Sequence, residues 1–298
     1  MSRIGAGAWQ LVLLAALAVG WPDAQAYAGP GALRARYDEL REQLRHNGFH
    51  RALYVDSSER GDTIQGGVYA VLDYPFAKVS STLRQPDDWC EVLLLPFNTK
   101  YCRAAGSGNG GAALHVRIGR KYDQPVQDAY RLDFMLQPVA STPEYFESRL
   151  AAENGPVGTR DYRITVAAVP LDERRTFLHF SYSYAYGMAG RLAMQAYLAT
   201  AGANKVGFTV TGRDGAGQPV YIGGMRGAIE RTAMRYYLAI DAQLASLDAP
   251  PARQLDQRLD AWFRGTERYA RQLREMDHDS YVAMKRTEHQ RQQHAAGP

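Results

Sequence analysis

Seven histidines and two cysteines are the residues of this 298-residue chain whose types most directly do chemistry. Their spacing limits what that chemistry is. His46 and His50 stand four apart, the separation at which two imidazoles on one helix face would hold a zinc ion, but Asn47-Gly48 interrupts the helix between them. His278, His289 and His294 fall in a charged carboxy-terminal stretch, where a solvated role is expected. His115 and His179 sit in strand-like alternation and are the sheet candidates, with a satisfied structural role ahead of acid-base work. Neither Gly-x-Ser-x-Gly nor His-Glu-x-x-His occurs, so the serine-hydrolase and zinc-protease readings have no motif behind them. The sequence assigns no catalytic residue, no metal ligand and no cofactor. Gly106 to Gly111 lacks the Lys-Ser/Thr of a phosphate loop and reads as a flexible crossing between strands.

Cys90 and Cys102 are twelve residues apart, each beside an aromatic residue, in Trp89-Cys90 and Tyr101-Cys102. In an oxidising compartment they would close a short loop worth about 3 kcal/mol, whereas in a reducing one they would stay as two core thiols. The amino terminus argues for the first. Arg3 precedes an apolar run from Ala8 to Trp21, then Pro22-Asp23, then Ala24-Gln25-Ala26, which is the order of a secretory signal cleaved near Ala26/Tyr27. The run is shorter than the roughly 18 to 20 residues of a membrane span. A periplasmic or secreted protein with a disulfide is therefore expected. With 35 basic against 31 acidic residues the formal charge is +4, spread along the chain, which argues against a nucleic-acid surface and leaves only transient contact with a membrane surface.

Positioning of these residues falls to a mixed set of elements. Leu33, Tyr37, Leu40 and Leu44 recur at helical spacing over 32–46, with Gly48 able to supply a left-handed cap. A strand is expected over 64–73, a helix over 76–83, a turn at Pro86-Asp87-Asp88, and a strand along the continuous apolar run Val92 to Leu95. Alternation predicts strands over 114–118, 130–136, 162–168 and 178–186, the last bearing the row Phe180, Tyr182, Tyr184 and Tyr186. Helices are expected over 143–152 and 191–200, and a strand over 206–210. A long helix runs from about Met225 to Leu247, with Tyr236 and Ile240 on its apolar side, and Pro250-Pro251 stops it. Residues 254–293 are helical in composition.

The order from 64 to 247, and the stretch Val68-Tyr69-Ala70-Val71-Leu72-Asp73-Tyr74-Pro75-Phe76 followed by Trp89-Cys90, resembles the START-like, helix-grip (SRPBCC) superfamily. That group includes lipid-transfer START domains, pollen-allergen-like proteins and polyketide cyclases. The resemblance implies an α+β fold in which a curved antiparallel β-sheet grips a long C-terminal α-helix over an apolar cavity. It places a START-like domain at 61–249, after a signal peptide at 1–26 and an N-terminal helical segment at 27–60, and before a helical C-terminal extension at 250–298. Phe180, Tyr182, Tyr184, Tyr186, Tyr236 and Ile240 would line the cavity, with plain core packing the alternative for each ring, and Arg163 would stand at its mouth to meet a phosphate or carboxylate headgroup or else belong to a surface ion-pair set. The glycines of Gly223 to Arg231 would let amides at the start of the long helix approach an anion, although capping explains them as well. The expected partner is a lipid or hydrophobic small molecule. The alternatives are a cyclase- or hydrolase-like enzyme using His179, Arg163 or a tyrosine as its acid-base group, and an envelope adaptor docking through its terminal helices.

Overall fold

The structure is a computed structural model that describes residues 29–108, 111–200 and 202–294. The expected signal at 1–26 lies outside the described residues, as do two positions of the glycine-rich crossing, 109 and 110.

The chain begins with α1 (Pro30–Arg45), starting on a proline whose missing N–H costs a helix nothing there. Leu33, Leu40 and Leu44 are its buried stripe. The helix ends differently from the expectation. Asn47, through its side-chain amide, donates to the carbonyls of Gln43 and Leu44, so no left-handed glycine is used.

Eight strands follow, β1 (Leu53–Arg60), β2 (Thr63–Leu72), β3 (Thr99–Gly108), β4 (Gly111–Ile118), β5 (Tyr130–Ser141), β6 (Phe146–Asn154), β7 (Thr159–Pro170) and β8 (Thr176–Tyr186). They form one sheet in the order β1-β2-β8-β7-β6-β5-β4-β3, antiparallel throughout. Between β2 and β3 lie α2 (Phe76–Thr82) and α3 (Pro86–Leu94). After β8 come α4 (Met188–Ala199), a small hairpin of β9 (Val210–Arg213) and β10 (Pro219–Tyr221), and the long α5 (Gly224–Ser246). Three further helices close the chain, α6 (Pro251–Glu267), α7 (Ala270–Leu273) and α8 (His278–His294).

The alternation along each strand divides the sheet into two faces. Val68, Leu114, Leu132, Leu150, Ile164 and Phe180 point to the side where α5 lies, in the main core. Tyr69, Ala167, Val169 and Phe177 point to the other side and are covered by α1, with the Tyr37 and Phe177 rings 5.0 Å apart. At Gly66 the backbone of α5 comes so near that an added Cβ would stand 2.9 Å from the Ile229 carbonyl oxygen, so this strand position needs a glycine.

Several elements depart from the sequence-based expectation, each for a local reason. For residues 143–152 a brief helix is expected after Pro143, but 146–154 form β6, a strand between two others. Its alternation is masked because Glu147, facing away from the core, is also buried and accepts a bond from Tyr145 at 2.5 Å. Pro86-Asp87-Asp88 is the first turn of α3 and not a free turn, and Val92 to Leu94, expected as a strand, lie on that helix. Proline at the start and two aspartates near the helix amino terminus favour this. Residues 53–60, expected within a helical segment, are β1, paired along its length with β2. The strand expected over 206–210 is an irregular loop up to Thr209, and Phe208 is buried there by packing on Phe49 and Tyr269.

The carboxy-terminal helices complete the core. Trp262 of α6 and Tyr281 of α8 are fully buried and stacked at 5.0 Å, with Phe97 edge-on to Trp262 at 4.9 Å. Beside them Lys100, Lys285 and Glu288 are all fully buried. Glu288 accepts from Lys100 at 2.9 Å and from Lys285 at 2.7 Å, and Lys285 also donates to the carbonyls of Pro96 and Thr99. Cys90 and Cys102 form a disulfide joining α3 to β3, with Cα atoms 5.2 Å apart.

Candidate functional site

Between the sheet, α5 and α4 lies an open-sided cavity of about 540 Å³, within the roughly 300–1,000 Å³ usual for small-molecule sites. Its floor is aromatic. Tyr182 and Tyr184 on β8 meet Tyr162 on β7 and Tyr236 on α5, with Tyr162 stacked on Tyr184 at 5.2 Å and Tyr182 5.6 Å from Tyr236. Burial pushes the Tyr182, Tyr184 and Tyr236 phenols well above the usual range, so they stay protonated donors at neutral pH. The Tyr162 hydroxyl is 2.7 Å from the Thr159 hydroxyl.

One wall is cationic. Arg231 and Arg235, four apart on α5, share a face with Ala228, and Lys121 follows β4. Glu275, between α7 and α8, accepts from Arg235 at 2.6 Å and Lys121 at 2.7 Å, and pairs with Lys205 at 3.2 Å. Burial pulls the Glu275 carboxyl upward, but Arg235, Lys121 and Lys205 outweigh it and hold the carboxyl below its usual range. Burial also lowers the pKa of the Arg231 and Arg235 guanidinium groups. The cover is α4, which turns Met194 and Tyr197 towards the cavity, while Lys121 Nζ lies 5.8 Å from the centre of the Tyr197 ring.

Of the residues singled out from the sequence, Tyr182, Tyr184 and Tyr236 line this cavity. The other four stand elsewhere. Phe180 is fully buried behind the floor, stacked on Tyr236 at 5.9 Å. Tyr186 turns to the sheet edge and donates to Glu59 at 2.5 Å. Ile240, one turn beyond Tyr236, is core. Arg163 is exposed, because it alternates with Tyr162 and Ile164 and so projects from the opposite face of β7.

The histidines fall outside the cavity as well. His179 is buried on the outer face, stacked on Tyr69 at 4.2 Å, and burial lowers its pKa to about 3. A neutral ring so held is a poor general base at neutral pH. His115 is half-exposed, 3.0 Å from Asp133. Among the described residues no group of three or more histidine, cysteine, aspartate or glutamate side chains is placed to hold a metal. Of the glycines at the start of α5, Gly227 donates its amide to the Gly223 carbonyl at 2.9 Å. Glu230 is fully buried there and accepts from the amides of Phe208 and Thr209 and the hydroxyls of Ser57 and Thr209.

The cationic wall was not foreseen, apart from Arg231 at the end of a glycine-rich stretch. The signal available was the pair Arg231 and Arg235 among apolar residues that the long helix has to bury. Tyr162 was visible as a strand residue without a site role.

The strand order, with two helices between the second and third strands and a long helix after the last, is an α+β arrangement in which an antiparallel sheet grips a long helix. No protein-family model matches the chain, and no curated protein matches it. Solved structures do. A conserved protein from Geobacillus kaustophilus is similar at 13% identity over 61% of this chain and 94% of its own, with a TM-score of 0.35. Norcoclaurine synthase from Thalictrum flavum is similar at 15% identity over 47% of this chain and 83% of its own, with a TM-score of 0.33. A START superfamily protein from Mycobacterium smegmatis is similar at 11% identity over 47% of this chain and 92% of its own, with a TM-score of 0.32.

Proposed function

We propose that this chain is an exported, periplasmic protein that binds or carries a lipid or other apolar small molecule in the cavity between the sheet and α5. The observation that carries the reading is the cavity itself, about 540 Å³ over a floor of tyrosine rings. Aromatic rings with protonated hydroxyls suit an amphipathic guest, since each gives apolar area and one donor. Export is supported by the charged, apolar and small-residue order of the first 26 residues and by the Cys90–Cys102 bridge.

Transient contact with a membrane surface belongs to the same reading. No described helix is long and apolar enough to cross a membrane. The helix α4 covers the cavity and yet leaves Met188 81% and Leu192 60% exposed, with Arg191 as its one charged residue. An apolar surface bearing a cation suits the boundary of an anionic bilayer.

Native mass spectrometry of the protein purified from its own host tests the proposal. A co-purifying apolar molecule of defined mass is the expected result. Repeated recovery of the bare chain, together with failure to take up any added lipid, would rule the proposal out.

A further inference from the structure

The residues lining the cavity include four basic side chains, Arg120, Lys121, Arg231 and Arg235, and no aspartate or glutamate among the described residues. The one carboxylate at this wall, Glu275, is shared by Lys121, Lys205 and Arg235. Arg231 has no share in it by direct contact; its Nη1 donates to the neutral Val206 carbonyl at 3.2 Å, and it is also hydrogen-bonded to the neutral Tyr197 hydroxyl. Both carboxylates that act favourably on Arg231, Glu275 and Glu230, are taken up by other donors.

A guanidinium carries five N–H donors, and one 3% exposed without its own counter-ion bears a large desolvation cost. An oxyanion in the cavity would relieve it, since arginine binds carboxylate and phosphate oxygens with two parallel hydrogen bonds. Arg235 adds to this imbalance, because its Nε is buried with no hydrogen-bond partner among the described residues. The remaining lining divides by polarity. Phe97, Ile118, Leu132 and Met194 offer apolar contact, while Tyr182 and Tyr184 offer hydroxyl donors.

We infer that the guest is an anionic amphiphile, with a carboxylate or phosphate head against Arg231 and Lys121 and an apolar body over the tyrosine floor. This rests on the cavity being a ligand site, as proposed above. A neutral guest leaves Arg231 uncompensated, and a cationic one adds a further like charge.

The test is displacement of a neutral polarity-sensitive dye from the full chain by decanoate, decyl phosphate, decanol and decyltrimethylammonium. Both decyl anions are expected to displace it at concentrations about tenfold or more below decanol, with the cation weakest. Their relative strength distinguishes a carboxylate from a phosphate head. In Arg231→Gln the ratio of anion to decanol displacement should fall about tenfold. Should that variant fail to fold, Lys121→Gln at the rim is read in its place, with a smaller loss of preference. Equal displacement by decanol and decanoate overturns the anionic head and leaves the cavity reading intact. Absence of dye uptake and of binding by every decyl compound overturns both.

Discussion

Tyr182 and Tyr236 lie with ring centroids 5.6 Å apart, one on the last strand of the sheet and the other on the long helix. Their contact sets the depth of the cavity. Below it Phe180 stacks on Tyr236 and the interior is closed packing, while above it Tyr184 and Tyr162 form a stacked pair open to the cavity. The floor joins β7 and β8 to α5, which packs closely on β2 at Gly66. Ligand binding and global folding are therefore coupled, and a bound guest should raise stability by mass action.

His179 should act on stability and not on binding. Its folded pKa of about 3 lies below the ordinary 6.5, so between these values the unfolded chain takes up a proton that the folded chain refuses. Stability contributed in this way is present above pH 6.5 and is lost as the pH falls towards 3. In urea unfolding at pH 4, 5 and 7, His179→Phe should be less sensitive to acid than the wild type, by up to about 1.4 kcal/mol per pH unit. Identical pH dependence in the two proteins would contradict the placement of this ring.

The Cys90–Cys102 bridge should contribute measurably, because both residues are buried and the loop they close is short. Replacing both with alanine should lower unfolding free energy by about 3 kcal/mol. Dithiothreitol should reproduce that loss in the wild type and leave the double variant unchanged. A wild type indifferent to reduction would show that the bridge does not form.

Lys285 gives a second pH signature, of opposite range. Burial lowers its pKa to about 8, so it is protonated in both states below that value and its desolvation cost is complete there. As the pH rises from about 8 towards the unfolded value near 10.4 the folded ammonium loses its proton first, and stability should rise. Above pH 10 the buried tyrosines reverse the trend, because their raised pKa values make the folded chain hold protons that the unfolded chain releases. Lys285→Met should abolish the rise between pH 8 and 10 while Glu288 keeps Lys100 as its partner. Glu288→Gln, which leaves two buried ammonium groups without an anion, should cost about 3–5 kcal/mol at pH 7. A rise in Lys285→Met equal to the wild type's would assign it to another group.

The outer side of α4 should govern transient membrane contact. Met188→Ser with Leu192→Ser removes apolar area from two exposed positions and should leave the melting temperature within about 2 °C, as surface changes do. In co-sedimentation with vesicles containing anionic lipid, the double variant should partition several-fold less than the wild type. Equal partitioning would remove α4 from the account.

The sequence revealed the sheet and its partner helix where one face alone is buried. Over 114–118, 130–136 and 162–168 apolar and polar residues alternate cleanly, and the strands lie there. It misled where both faces are covered or where the element sits at an edge. Glu147 is buried under the α1 side of β6, and Trp89 to Leu94 are buried nearly all round α3, so neither shows a clear period. Half of β1 is Asp56-Ser57-Ser58-Glu59, a polar edge strand with little to mark it. The tyrosine row was legible as a lining, and Tyr182 and Tyr184 face the cavity. That Tyr186 turns away to Glu59 depends on a partner 127 residues distant, which no local pattern records. The same holds for Arg235, whose site character comes from Lys121 and Glu275 on separate segments.

The claim that the cavity receives an apolar guest is tested most directly by filling it. Ala228 lines the cavity from α5, and Met194 lines it from the cover. Titration of a neutral polarity-sensitive dye into the wild type, Ala228→Phe and Met194→Trp should give saturable one-to-one binding to the wild type and binding about tenfold weaker or less to each variant that keeps its fold by circular dichroism. Equal affinity in wild type and folded variants, or no saturable uptake by the wild type, would contradict the cavity as the binding site.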